Sequence, residues 1–293
     1  MPLLKTGDTV GIVAPSSPVA AARLGPGIAW LESQGYSVRL GASVGVSDRF
    51  LAGSDDLRAK DFVDMFADDE IRAVFAGRGG YGSSRILSLI DWETVGAHPK
   101  PFVGFSDTTA LQLALLQRAG MLSLTGLALA SDIKESGPNA GTERDLRVAL
   151  SEGRFAPVEG LSFSGSIEGV LLGGCLSLVT HLVGTSYLPD LSGCLLLLED
   201  VGESPYRIDR LLTQLVLSDV LERAAGILFG TFHGCKGDAE DGTVDQVLAD
   251  FSERCPCPVI LGMPYGHGAE RRVLPVGGRV GISGGTLTFR ELP

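Results

Sequence analysis

The chain has 293 residues, of which 44% are apolar and 20% charged, which is enough to build one large or two medium domains with hydrophobic cores. Its formal net charge is −11, and the sequence contains no block of Lys or Arg. Because nucleic acid is bound mainly by positive charge, this composition argues against a long phosphate-tracking surface, and we expect no nucleic-acid partner.

The first fifteen residues, MPLLKTGDTVGIVAP, contain one lysine and lack the apolar core of a secretory signal. Later apolar runs are too short to span a membrane. We therefore expect a cytoplasmic protein without a membrane partner. The five cysteines are odd in number, and the pair Cys255 and Cys257 has no second pair at zinc-finger spacing, so free thiols and no metal site are predicted.

Short β-branched runs alternate with helical periodicities through the first part of the chain. The runs TVGIVAP, SVRLG, IRAVFAG and PFVGF predict strands, and segments such as ARLGPGIAWLESQG and DTTALQLALLQRAG predict helices between them. This alternation is typical of a parallel sheet with helices on its faces. Residues 1–130 are therefore predicted to form an N-terminal α/β domain.

Apolar density falls over residues 131–165, where Gly, Pro, Ser and charged residues predict a linker with one short helix. It returns in GVLLGGCLSLVTHLVG, GCLLLLED and AGILFGTFHG. Between the last two runs, Ser204-Pro205 opens a segment whose apolar residues recur at helical spacing. Residues 166–293 are therefore predicted to form a second core.

The segment GRGGYG at 77–82 satisfies the dinucleotide-binding pattern G-x-G-x-x-G between a predicted strand and a predicted helix. The acidic residue that should follow the next strand is missing, since residues 95–105 read VGAHPKPFVGF, and we expect no dinucleotide cofactor. Such a loop either presents backbone N–H groups to an oxyanion or forms a plain tight turn.

Ser106 follows the predicted strand PFVGF and precedes the predicted helix TTALQLALLQRAG. This position is the carboxyl edge of the sheet, where open α/β folds bind ligands. The serine is either a nucleophile on a sharp turn, with the N–H of Asp107 facing an oxyanion, or an ordinary helix N-cap. The segment by itself favours the cap.

An activated serine needs a base, and the chain has four histidines. His98 lies in a predicted surface turn and His181 within a predicted helix. His233 and His267 both lie just beyond a buried strand-like run, and the residues alone do not separate them.

A carboxylate that orients such a base should also emerge at a strand end. Glu199 directly follows four leucines in GCLLLLED, which fits this requirement. Asp200 and Glu203 are nearby alternatives, and Glu203 would also favour the N-terminus of the helix that follows it.

Five motifs occur together: GRGGYGSSRIL, VGFSDTTAL, LLGGCLSLVTHLVGT, LLLLEDVGESPYRIDRLL and GMPYGHG. In order and spacing they resemble the LD-carboxypeptidases, a serine peptidase family that also contains the microcin C immunity peptidases. The resemblance covers nearly the whole chain. It implies an α/β protein with a flavodoxin-like or class I glutamine-amidotransferase-like N-terminal domain, a smaller C-terminal α/β domain and a site in the cleft between them.

The Ser-Glu-His triad of this family falls on Ser106, Glu199 and His267, and the resemblance thereby decides between the two histidines left open above. The implied oxyanion donors are the backbone N–H groups of Gly80 and Asp107. The implied reaction removes the terminal D-alanine of a cytoplasmic murein tetrapeptide, without a cofactor or metal, and the family implies a homodimer.

A carboxypeptidase of this kind needs a cation to hold the free carboxylate of its substrate. Arg78, Arg85 and Arg207 are candidates because they lie within the motifs, although structural salt bridges would account for each equally well. The family usually has Gly-Gly-Asn where Cys175 follows two glycines in this chain. A thiol cannot make the hydrogen bonds of an amide, so the geometry of this loop is in question.

Two other functions are weighed against this one. An immunity-type peptidase would cleave an aminoacyl- or peptidyl-nucleotide conjugate, but no Trp that could stack on adenine occurs between Tyr187 and Leu195 or in KGDAEDG. A non-catalytic binding protein on the same scaffold would use Ser106 only as a cap. The presence of all three triad residues argues against it.

Overall fold

The computed structural model describes residues 3–238, 241–269 and 271–290 of the chain. Its strands form two six-stranded sheets. In chain order the strands are β1 Thr9–Val13, β2 Ser37–Leu40, β3 Ile71–Ala76, β4 Phe102–Gly104, β5 Ser123–Thr125, β6 Ser166–Cys175, β7 Cys194–Val201, β8 Gly226–His233, β9 Val259–Ile260, β10 Leu274–Val276, β11 Arg279–Ser283 and β12 Thr286–Phe289.

Helices connect most of the parallel strands. They are α1 Ala21–Ser33, α2 Asp55–Ala67, α3 Trp92–Ala97, α4 Thr109–Ala119, α5 Leu129–Asp132, α6 Ala140–Glu152, α7 Leu176–His181, α8 Pro205–Leu217 and α9 Val244–Arg254. Within the described residues, none of these helices is long and apolar enough to cross a membrane.

The first sheet has the strand order β10-β5-β4-β3-β1-β2. Strands β1 to β5 are parallel, as the alternation of strands and helices predicts. Strand β10 pairs antiparallel with β5, placing Leu274 opposite Thr125. The chain therefore returns to the first sheet within residues 166–293, the range that the sequence analysis assigns to the second core.

The second sheet has the strand order β12-β11-β6-β7-β8-β9. Strands β6 to β9 are parallel, and β11 pairs antiparallel with both β6 and β12. Strand β7, with the sequence CLLLLEDV, is buried except at its last residue, and its leucines pack alternately into two hydrophobic clusters. A run of this kind is typical of a parallel strand that is covered on both faces. The predicted α/β fold class is confirmed.

Residues 131–165 contain one long helix, α6, whose Leu146, Ala149 and Leu150 are buried. These side chains share a hydrophobic cluster with Val10 of β1 and Phe75 of β3. The helix of the predicted linker therefore packs on the core of the first sheet.

The two sheets meet at helix α4. Leu111 of this helix lies in one hydrophobic cluster with Leu172 of β6 and Leu198 of β7. At the start of α4, the Thr109 hydroxyl accepts a hydrogen bond from the backbone N–H of Cys175 at 3.1 Å. This contact holds the carboxyl ends of β4 and β6 together.

Candidate active site

Ser106 occupies the turn between β4 and α4, and its backbone is left-handed, with a φ of 65°. Among the described residues, Arg49 and Asp219 are the other non-glycine residues with positive φ. Such a conformation costs about 1–3 kcal/mol and is found where a turn must aim a side chain. The Ser106 side chain caps neither of the helical turns that follow it. The interpretation of this serine as an N-cap is therefore wrong.

The glycine loop 77–82 packs directly against the Ser106 turn. A Cβ at Gly79 would lie 2.9 Å from the Cβ of Ser106 and 3.0 Å from the carbonyl oxygen of Phe105. Side-chain Cβ atoms essentially never approach other atoms this closely. Glycine at this position therefore sets the distance between the loop and the serine.

Gly80, on the same loop, has a backbone N–H that makes no hydrogen bond within the described structure. The residue is exposed and has a φ of 109°. Ser17 stabilises the loop, because its hydroxyl accepts a hydrogen bond from the N–H of Tyr81 at 3.1 Å. The loop therefore keeps one donor available beside the serine turn.

Asp107 is buried and fixes the same turn through hydrogen bonds to two other segments. Its Oδ2 accepts from the Ser16 hydroxyl at 2.5 Å and from the N–H of Ser83 at 2.8 Å. Its carbonyl oxygen accepts from the Ser83 hydroxyl at 2.6 Å. The residue that follows Ser106 is thereby tied to the end of β1 and to the end of the glycine loop.

His267 lies in the loop after β9 and bridges side chains from the two sheets. Its Nε2 lies 3.0 Å from Oγ of Ser106, and its Nδ1 lies 2.8 Å from Oε2 of Glu199. Its ring also packs on Phe105, with the two ring centroids 4.6 Å apart. Of the two histidines that the residues left open, His267 is the one that lies beside Ser106.

Glu199 ends the four-leucine run of β7, and its side chain is fully buried. Burial raises the pKa of its carboxyl, while the hydrogen bond to His267 acts in the opposite direction. Its second oxygen, Oε1, has no hydrogen-bond partner among the described residues. The contact between Oε2 and Nδ1 holds the imidazole ring of His267 in one orientation.

The backbone before His267 approaches the second sheet closely. Gly266 has a φ of 128°, and a Cβ there would lie 2.7 Å from the carbonyl oxygen of Thr231 and 3.0 Å from Oε2 of Glu199. Only glycine tolerates both the conformation and the contact. The loop can therefore bring the imidazole to a carboxylate that lies within the sheet.

The other histidines lie away from this arrangement. The Nδ1 of His98 lies 2.9 Å from the carbonyl oxygen of Thr94, at the end of α3. His181 is exposed at the end of α7, and His233 is exposed at the end of β8. None of them is hydrogen-bonded to Ser106 in the described structure.

The two alternative acids have other partners. The Asp200 carboxylate accepts a hydrogen bond from the backbone N–H of Ser177 at 2.8 Å, at the start of α7. Glu203 forms an ion pair with Arg207, with an N–O distance of 3.6 Å. The structure thus places Glu199, and neither neighbour, against the imidazole.

Cys175 lies beside Glu199 in the parallel pairing of β6 with β7. Its thiol is buried and donates to Oδ1 of Asp200 at 3.4 Å, and burial raises the pKa of this thiol well above its ordinary value. Its backbone N–H is bonded to Thr109, as described above. The thiol is therefore protonated and buried, and its hydrogen bond to Asp200 links the end of β6 to the end of β7.

The three arginines proposed from the motifs lie outside the cavity that contains His267. Arg85 forms an ion pair with Asp55 at 2.6 Å, and Arg207 is exposed and pairs with Glu203, as given above. Arg78 lines a separate cavity of about 350 Å³. Position within a motif therefore does not place any of the three in this cavity, and their role in substrate binding stays a prediction.

A cavity of about 380 Å³ opens beside His267. Its described lining includes two cations, Arg271 and Lys134. The Nη2 of Arg271 donates to Oδ1 of Asp132 at 2.6 Å. Sequence reasoning missed both cations, and the one available signal was that Arg271 follows His267 by four residues in GHGAERR.

A serine, a histidine and a buried carboxylate joined by hydrogen bonds form the arrangement that serine hydrolases use for acyl transfer. No group of three or more His, Cys, Asp or Glu side chains is placed to hold a metal ion in the part of the chain that the structure describes.

The chain belongs to the LD-carboxypeptidase family. The model of the family's N-terminal domain matches residues 10–126, and the model of its C-terminal domain matches residues 168–282. The resemblance stated from the five motifs is thereby confirmed.

Three known proteins illustrate the range of relatives. A probable murein peptide carboxypeptidase of Bacillus subtilis is 37% identical over 287 residues, covering 96% of this chain and 90% of the relative. The crystal structure of muramoyltetrapeptide carboxypeptidase from Oxalobacter formigenes has a TM-score of 0.89 at 31% identity, covering 97% of this chain and 99% of that one. The microcin C7 self-immunity protein of Escherichia coli is 25% identical over 316 residues, covering 95% and 91%.

Proposed function

We propose that this protein is a serine LD-carboxypeptidase that releases the terminal D-alanine from murein tetrapeptides, with Ser106, His267 and Glu199 as its catalytic triad. The observation that carries the proposal is the continuous hydrogen-bonded chain from Ser106 Oγ through both nitrogens of His267 to Glu199, at 3.0 and 2.8 Å. Family membership and the murein substrates in the names of two relatives support the substrate class.

In the first half of the reaction, Nε2 of His267 takes the proton of Ser106 while Oγ attacks the carbonyl carbon of the scissile amide. This carbonyl belongs to the L-centre of the diamino acid. His267 then gives the proton to the departing nitrogen, and D-alanine leaves with a free amino group. The remaining peptide is held on Ser106 as an ester.

In the second half, a water molecule replaces D-alanine. His267 takes one proton from this water as its oxygen attacks the ester carbonyl, and then returns the proton to Oγ of Ser106. The tripeptide leaves with a new carboxylate, and the free enzyme is restored.

Glu199 sets the state of His267 in both halves. Its Oε2 accepts from Nδ1–H, which leaves Nε2 of the neutral imidazole as the acceptor for the Ser106 proton. When His267 is protonated, the negative charge of the fully buried Glu199 carboxylate stabilises the cation. The carboxylate itself does not transfer a proton.

The backbone N–H groups of Gly80 and Asp107 are proposed to hold the oxyanion. Gly80 offers an exposed donor beside the serine turn, and Asp107 directly follows the nucleophile. Donors of this kind act on charge that develops in the transition state, and each contributes about 10²–10³-fold to kcat.

The biological setting proposed for this activity is the cytoplasm, where murein peptides taken back into the cell are processed during peptidoglycan recycling. The family resemblance further leads us to propose a homodimer.

The experiment that tests this function measures D-alanine release from murein tetrapeptides that contain either diaminopimelate or lysine. The purified protein is compared with Ser106→Ala on both substrates. We expect release by the wild type and a loss of about 10⁴-fold or more in the variant. Substrate preference follows from the ratio of the two rates.

Absence of D-alanine release from both tetrapeptides would contradict the proposed substrate. The same protein would then be given an aminoacyl-nucleotide conjugate, the substrate class of the alternative function. Cleavage of that conjugate, lost in Ser106→Ala, would assign the triad to an immunity-type peptidase.

A further inference from the structure

Arg271 is held in the cavity beside His267 by an ion pair and by an aromatic ring. Its Nη2 donates to Oδ1 of Asp132 at 2.6 Å, and both side chains are 12% exposed. The carbon at the centre of its guanidinium lies 4.5 Å from the ring centroid of Phe105. Two independent contacts therefore fix the position of this cation.

Phe105 also fixes how far Arg271 lies from the reacting groups. The ring of Phe105 packs against the imidazole of His267 at 4.6 Å, and Phe105 directly precedes Ser106. The guanidinium and the imidazole contact one aromatic ring, so they can be no further apart than these two contact distances combined. The cation therefore packs on the same aromatic ring as the imidazole of the proposed triad.

Asp132 is itself anchored, so it holds Arg271 in one orientation. Its Oδ2 accepts from the backbone N–H of Ala128 at 2.7 Å, while Oδ1 takes the guanidinium. A guanidinium has five N–H donors in a planar fork, and Asp132 is the only acceptor for Arg271 among the described residues. The remaining donors are available to a ligand in the cavity.

We infer that Arg271 binds the free C-terminal carboxylate of the residue that leaves, and so makes the site a carboxypeptidase rather than an endopeptidase site. This inference rests on the proposed function. A planar guanidinium forms paired hydrogen bonds with a carboxylate, which gives both affinity and orientation. Lys134, on the same cavity, adds a second positive charge for the same group.

The neighbouring Arg272, unlike Arg271, has a structural role. Its guanidinium donates to the Asp145 carboxylate and to the carbonyl oxygens of Ala156 and Pro157. These protein acceptors occupy most of its donors. Of the two adjacent arginines, Arg271 is therefore the one with donors left for a substrate.

The test is a binding cycle on the full chain carrying Ser106→Ala, which keeps the substrate uncleaved. Calorimetry gives the affinity for a murein tetrapeptide with a free C-terminal carboxylate and for the same peptide as its C-terminal amide, with and without Arg271→Met. We expect Arg271→Met to weaken binding of the free acid by about 10- to 150-fold, because a charge-assisted hydrogen bond is lost. Binding of the amide should change by less than about 3-fold.

Two further variants sharpen the cycle. Arg271→Lys keeps the charge without the planar fork and should recover part of the preference for the free acid. Arg254→Met removes an arginine from an exposed ion pair with Asp209 and should leave both affinities unchanged.

An unchanged ratio between the two affinities in Arg271→Met would overturn the inference. Partial unfolding of the variant lowers the number of binding sites that calorimetry counts. It does not alter the affinities of the folded fraction, so it neither imitates nor hides a change in the ratio of the two affinities. If the Ser106→Ala protein binds neither peptide, the proposed function fails and the inference falls with it. That outcome is seen with Ser106→Ala alone, before Arg271 is changed. Failure of the proposed function can therefore be distinguished from failure of the inference about Arg271.

Discussion

The turn that carries Ser106 and the strand end that carries Glu199 meet at His267, but they position their side chains by different means. The Ser106 side chain is positioned by the shape of the local chain. Ser106 itself has a left-handed backbone, Gly79 packs against it, and Asp107 accepts hydrogen bonds at both its carboxylate and its carbonyl oxygen. Around Glu199, a carboxylate is buried with His267 as its partner, and its pKa is raised by that burial.

This difference implies that the proposed nucleophile, Ser106, depends on the shape of its surroundings, and that the proposed base, His267, depends on the charge beside it. A substitution that changes shape without charge should act mainly through Ser106. A substitution that changes charge without shape should act mainly through His267. Three predictions separate these two dependences.

Glu199→Gln tests the charge dependence, and we expect the largest effect from it. The variant keeps the shape of the side chain, but its amide cannot stabilise an imidazolium and can turn His267 to the wrong tautomer. We expect kcat for D-alanine release to fall by about 10⁴-fold. Steady-state kinetics measure this, and a loss of less than about 10-fold would show that the base does not depend on this charge.

Gly79→Ala tests the shape dependence. The new methyl group meets Ser106 at 2.9 Å and must displace the turn or the loop. Since a misplacement of about 1 Å costs about 10²-fold in rate, we expect a loss of kcat of that order. Gly25→Ala is the matched control, because a Cβ there meets nothing within 4 Å. If the two variants were equally active, the tight contact at Gly79 would have no role in catalysis.

The smallest expected effect is on stability. A carboxyl whose pKa is raised on folding favours the folded state at low pH, and this contribution is lost as the pH rises through the folded pKa. From about pH 4 to about pH 7, the free energy of unfolding of wild type should therefore fall relative to that of Glu199→Gln, by about 1.4 kcal/mol for each unit of pKa shift. Denaturant titrations at several pH values measure the difference. Ser106→Ala should run parallel to wild type, and a constant or opposite difference for Glu199→Gln would contradict the raised pKa.

The sequence located Ser106 and Glu199 because each directly follows an apolar run, and the ends of parallel strands are visible in such runs. It did not separate His233 from His267 by itself. Strands β8 and β9 are parallel neighbours, so His233 at the end of β8 and His267 in the loop after β9 both lie toward the same edge of the sheet. Which one reaches Ser106 depends on the close approach of Gly266 to Glu199, a contact between segments distant in the chain.

The position of Arg271 in the cavity could not be predicted from the sequence for the same reason. Its ion-pair partner Asp132 lies 139 residues earlier in the chain, in a stretch that the sequence marked only as a linker. Proximity to a motif suggested Arg85, which forms an ion pair with Asp55. Side chains fixed by neighbours along the chain were predictable, whereas those fixed by contacts between distant segments were not.

The most direct test of the proposed triad is the reaction of the protein with a fluorophosphonate, followed by peptide mapping in a mass spectrometer. Such a reagent phosphonylates a serine only where a base activates it. We predict a single adduct on Ser106 in the wild type, and none in Ser106→Ala or His267→Ala. An unlabelled wild type, or equal labelling of His267→Ala, would contradict the assignment of Ser106 as a nucleophile activated by His267.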